Sequence, residues 1–74
     1  MRTKTGRGGG FARQWRIYQT LLRQPDGVRV VSLANAVGCS RRTVYRDIAV
    51  MIDAGVPVYE HPDGPKMMVY RLVD

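Results

Sequence analysis

"SRRTVYRD", residues 40–47, sets three arginines beside a serine and a threonine, and an apolar run follows it. Ser40 is a favoured helix N-cap. Downstream, Gly55 stops a helix and Pro57 forbids its continuation. The spacing therefore predicts a helix over 40–54. On a wheel of 100° per residue, Val44, Ile48, Met51 and Ile52 gather on one side, while Arg42 and Arg46 lie nearly opposite them. Thr43, Ala49 and Asp53 flank the two arginines, and Tyr45 sits at the boundary. A helix with one face in oil can hold the cations of its other face outward.

Upstream, residues 28–38 read "VRVVSLANAVG". Val30, Leu33, Ala34 and Val37 fall at i, i+3, i+4 and i+7, which predicts a short helix over 30–37 after a brief extended piece. Arg29 is a poor N-cap for it, and Gly38 suits a left-handed C′ position. Only "GCS" separates this helix from the next, the turn length of a helix-turn-helix. A first helix is expected over 11–24, "FARQWRIYQTLLRQ", ended by "PDG" at 25–27. Its apolar stripe is Ile17, Tyr18, Leu21 and Leu22, with Trp15 at the edge as a core residue. The end of the chain reads as a hairpin. Residues 58–61 and 67–72 are strand-like, and "PDGP" between them is strong turn chemistry. Met68, Tyr70 and Leu72 alternate with Met67, Val69 and Arg71, so one face can cover the helices. Residues 1–10, "MRTKTGRGGG", are basic and rich in glycine and read as a flexible tail before a domain at 11–74.

The expected fold is α+β: a winged helix-turn-helix of three helices followed by a two-stranded wing. With 74 residues the chain makes one small domain. Hydrophobic residues make up 45% of it, which excludes a disordered chain. No apolar run approaches the ~20 residues of a membrane span. The single cysteine, Cys39, allows no internal disulfide and no zinc cluster. It is expected to be a small buried hydrophobe in the turn, and a reducing cytoplasmic setting follows. His61 lacks partners at ligand spacing, so no metal site is expected. No nucleophile–base pair, phosphate loop or carboxylate dyad is recognisable, so neither enzyme activity nor a cofactor is expected. Met51, Met67 and Met68 read as core filler.

Charge separates the chain into halves. Residues 1–46 hold ten basic side chains against one acid, Asp26, a balance of +9. Residues 47–74 hold two basic side chains, Lys66 and Arg71, against five acids, a balance of −3. A basic field confined to one region points to a polyanion. A major groove about 12 Å wide admits one α-helix, and the N-terminal residues of that helix then meet base edges. Arginine can donate two bonds to guanine O6 and N7, whereas short hydroxyls at a helix start suit phosphate oxygens.

The stretch "LANAVGCSRRTVYRDIAVMIDAGVPV", residues 33–58, resembles the N-terminal winged helix-turn-helix of the DeoR-like and WYL-domain bacterial transcription regulators. The match is carried by Leu33, Ala34, Gly38, Cys39 and Ser40, then Arg42 to Ile48, then Gly55 and Pro57. The closing "VYRL" is similar to that family's Gly-Tyr-Arg-Leu third strand, with Val69 in place of the glycine. The resemblance implies that Arg42 and Arg46 approach bases or adjacent phosphates and that Ser40, Thr43 and Tyr45 hold the backbone. It implies that Asp47 orients an arginine or caps a helix end. It also implies that "HPDGPK" is the wing tip, with Lys66 reaching a phosphate, although Glu60 and Asp63 in the wing repel one. Larger relatives continue into a ligand-sensing domain, and a standalone domain without one is expected here.

The function expected is therefore sequence-specific binding of double-stranded DNA by a nucleoid-associated transcription regulator that represses by covering promoter DNA. The DNA-binding residues expected are Ser40, Arg41, Arg42, Thr43, Tyr45, Arg46 and Lys66, with Arg13 adding a contact insensitive to sequence. A homodimer on two half-sites would raise selectivity. The competing expectation is a winged helix that binds an acidic protein.

Overall fold

The computed structural model describes residues 5–62, 64, 65 and 67–73. Three helices, α1 (Thr5–Arg23), α2 (Val30–Val37) and α3 (Arg41–Asp53), precede two strands, β1 (Val58–Pro62) and β2 (Met68–Leu72). The strands pair antiparallel in a register running from Val58 opposite Leu72 to Pro62 opposite Met68. This is the winged helix-turn-helix expected. Helix α1 starts six residues before Phe11, so residues 5–10, given to the tail by their composition, are helical. Residues 1–4 lie outside the described residues.

Local chemistry sets the junctions. The N-cap of helix α2 is Arg29, whose side chain makes no capping bond. It ends at Gly38, with φ 71° and ψ 39°, where the amide hydrogens of Gly38 and Cys39 close on Ala34 O. A Cβ at Gly38 would meet nothing within 4 Å, so only the backbone conformation calls for glycine. Helix α3 opens on Ser40, whose Oγ accepts the Thr43 N–H at 3.1 Å.

The core gathers one stripe from each element: Ile17 and Leu21 from α1, Leu33 and Ala34 from α2, Val44, Ile48 and Met51 from α3, and Val58 and Tyr70 from the hairpin. Val28 joins them through a two-bond bridge to Tyr70, at 2.9 Å (Val28 N–H to Tyr70 O) and 2.8 Å (Tyr70 N–H to Val28 O). That bridge is the extended piece expected before α2. It rests on Gly27, where φ is +110° and an added Cβ would lie 2.5 Å from Val69 Cγ2. Glycine is required there twice, by conformation and by space. Val69, bulky where the resembling family has glycine, packs into the room that Gly27 leaves.

Several burial expectations are corrected. The inward stripe of α1 is Ile17, Thr20 and Leu21, while Leu22 is exposed. Thr20, outside the apolar stripe expected of α1, is buried and donates to Arg16 O at 2.8 Å. Trp15 is 51% exposed and Ile52 48% exposed, neither in the core. On β2 the alternation breaks: Val69 and Tyr70 are both buried, and Met67 and Met68 are exposed. Cys39 is half-buried. A small domain has little interior, so apolar residues beyond its capacity stay outside.

Candidate nucleic-acid interface

The turn Gly38-Cys39-Ser40 delivers α3 with its first residues free of the core. Val44 is fully buried and Ile48 nearly so, which sets the rotation of the helix about its axis. Arg41, Arg42, Tyr45 and Arg46 are consequently exposed, and Thr43 is half-buried beside them. Arg42 and Arg46 are i, i+4 neighbours on one ridge. The Ser40 hydroxyl donates to Thr43 Oγ1 at 3.0 Å, so the two hydroxyls stand together at the helix start.

Cations at this end are unfavourable for the helix alone. The first turn of α3 holds no acid, and Arg41 and Arg42 face the positive pole of the macrodipole. Each such cation costs roughly 0.3–1 kcal/mol. An anion docked there would relieve that cost, and the free N–H groups of a helix start add donors to it.

The wing supports the same ridge. Tyr45 meets Tyr70 edge-on, with ring centroids 6.3 Å apart and planes at 68°. Tyr70 donates its hydroxyl to Glu60 Oε2 at 3.3 Å. Burial first, and then the Glu60 charge, push the Tyr70 phenol up to about 12, so it remains a donor. Lys66 and Asp63 of the wing tip lie outside the described residues.

The structure thus brings Ser40, Arg41, Arg42, Thr43, Tyr45 and Arg46 to one end of α3. Arg13 has a partner elsewhere. Its guanidinium grips Asp47 at two points, Nε on Oδ2 and a terminal nitrogen 3.0 Å from Oδ1. Gln14 Nε2 adds a third bond, 3.3 Å from Oδ1. Asp47 is only 4% exposed. Burial opposes its charge, yet the bonds from Arg13 and Gln14 and the fields of Arg13 and Arg46 outweigh burial and hold the carboxyl below its ordinary range. The bond to Asp47 in turn raises the Arg13 guanidinium, against a smaller opposing effect of burial. Arginine orientation by Asp47 was implied by the family resemblance; Gln14 was not foreseen. Its position offered a signal, since Arg13 and Gln14 continue the stripe of Ile17 and Leu21 one turn earlier.

Among the described residues, no helix is long and apolar enough to cross a membrane. No curated protein and no solved structure matches the chain. The comparison with protein families matches residues 13–64 to the HTH domain family. That span runs from the Arg13 that holds α3 to the tip of the wing and covers more than half of the chain. With three helices, a three-residue turn, an outward cationic ridge and a hairpin all in place, the chain belongs to the HTH domain family and is a DNA-binding domain of the helix-turn-helix kind.

Proposed function

We propose that the domain binds double-stranded DNA sequence-specifically, with α3 in the major groove. Arg42 and Arg46 read base edges, each able to donate two bonds to a guanine. Arg41, Ser40, Thr43 and Tyr45 hold the phosphate backbone on either side, and Lys66 reaches a phosphate beside the wing. The observation that carries this reading is the ridge itself: Arg41, Arg42 and Arg46 are exposed on a helix whose reverse face, Val44, Ile48 and Met51, is buried. The likeness to DeoR-like and WYL-domain regulators supports a role in bacterial transcription, with repression by covering promoter DNA as the simplest mechanism. A single domain reads few base pairs, and two copies on half-sites about 34–36 Å apart would supply selectivity.

The test is selection of a duplex from a random pool, followed by titration of variants on the selected and on random duplex. Arg42→Ala and Arg46→Ala each weaken the selected complex by about 1–3 kcal/mol, roughly 5- to 150-fold, and relax preference at the base they face. Affinity of the unaltered protein falls steeply with salt as counterions are released. Unchanged affinity in both variants would sink the assignment. Negligible duplex binding at physiological salt, with capture by an acidic protein instead, would replace it.

A further inference from the structure

Asp47 follows Arg46 directly and points the other way. Its carboxylate is buried and, among the described residues, takes its hydrogen bonds from α1, two from Arg13 and one from Gln14. The rest of the inner face of α3 is Val44, Ile48 and Met51. Burial of such side chains favours contact but imposes little direction, because the hydrophobic effect is non-directional. A side-on, two-point arginine–carboxylate pair has a defined geometry in addition to its strength. With the Gln14 bond it supplies the side-chain hydrogen bonds between α1 and α3 among the described residues, and it lies one residue from a side chain proposed to read a base.

We infer that Arg13, Gln14 and Asp47 form a positioning clamp that fixes the rotation of α3 about its axis, and so the aim of Arg46 and Arg42, with Arg13 acting on DNA through Asp47. This rests on the proposed reading of the ridge. The clamp makes Arg13 a determinant of specificity, in place of a general phosphate contact. A small rotation of α3 leaves its cations near phosphates, where charge alone matters, and spoils the bidentate geometry needed at a base edge. Arg13→Lys is the decisive variant. It keeps the charge and the ion pair but removes the planar fork.

The experiment compares Arg13→Lys, Arg13→Gln and Gln14→Ala on the selected duplex and on random duplex across a salt series, below each variant's melting temperature. The clamp predicts that Arg13→Lys and Arg13→Gln lower the selected-to-random affinity ratio about tenfold, the worth of one well-aimed base contact. Gln14→Ala lowers the ratio less, in the same direction. The slope of log affinity against log salt stays the same in all three. A phosphate contact by Arg13 gives the opposite pattern: Arg13→Lys binds normally, while Arg13→Gln weakens both duplexes together and lowers the slope by about one. That pattern overturns the inference, as does an unchanged ratio in folded Arg13→Lys. If Arg13→Gln fails to fold, Arg13→Lys alone decides. Unaltered protein that binds no duplex removes the parent reading and this one with it; a selective unaltered protein with an equally selective Arg13→Lys removes this one alone.

Discussion

On the outer side of α3, Arg41, Arg42 and Arg46 stand in solvent, while on its inner side Asp47 is buried against α1. The same helix therefore carries charge under two regimes. Outside, each guanidinium keeps its hydration, contributes little to folding, and even opposes the helix dipole at the first turn. Inside, a single carboxylate has lost its water and persists because three donors replace it. The difference teaches a division of labour. Outer charges are free to serve a ligand, and the inner charge serves the geometry of the domain.

Breaking the inner pair is expected to give the largest effect. Arg13→Ala leaves a buried carboxylate without its cation and should lower stability by about 3–5 kcal/mol, read by urea or thermal unfolding. For a domain of this size that approaches the whole margin of stability. Asp47→Ala should cost less, because Arg13 is the more exposed partner and can turn to water. Equal losses for the two would break the comparison.

Next come the outer residues, where effects fall on binding and spare folding. Arg42→Ala and Arg46→Ala should lose about 1–3 kcal/mol against the selected duplex with unfolding midpoints nearly unchanged. A fall in stability comparable with that of Arg13→Ala would mean that the ridge also holds the fold together.

Acid sharpens the contrast further. The Asp47 carboxyl is held below its ordinary value of 3.8 in the folded protein. Its contribution to stability is therefore complete above that value and is lost as pH falls from there through the lower, folded value. Asp47→Asn should remove this part of the acid limb in a pH series of unfolding curves. The smallest effect should come from Arg41→Ala, which removes a cation from the positive pole of α3 and should raise stability by roughly 0.3–1 kcal/mol while weakening DNA binding.

Much of the fold was legible because its signals are local. Val30–Val37 was marked by i, i+3, i+4, i+7 spacing and by a left-handed glycine, and both were found. Ser40 was read as a cap from its chemistry, and it accepts the Thr43 amide hydrogen. The hairpin followed from two strand-like runs around Pro62-Asp63-Gly64-Pro65. The candidate interface was equally legible at α3, since three arginines opposite an apolar stripe specify an outward face. The start of α1 was less legible, since it runs from Thr5 where a start at Phe11 was expected. Intrinsic propensity is a weak prior for any one segment.

Burial was the less legible property. Trp15 and Ile52 are as apolar as Ile17 and Ile48, and helical phase admits them at the edge of the same stripes. Which of them enters the core depends on the surface that arrives opposite. Arg13 and Gln14 occupy inward positions of α1 because Asp47 meets them there from α3, thirty-four and thirty-three residues along the chain. Val69 is buried because Gly27 leaves space for it. The amino-acid order alone determined the helices α2 and α3, the turn between them, the wing and the sign of the exposed ridge, since caps, breakers and periodicity act over a few residues. Only the tertiary structure decided which side chains are enclosed and which cation turns inward. Those outcomes depend on contacts between distant segments, whose complementarity no local pattern encodes.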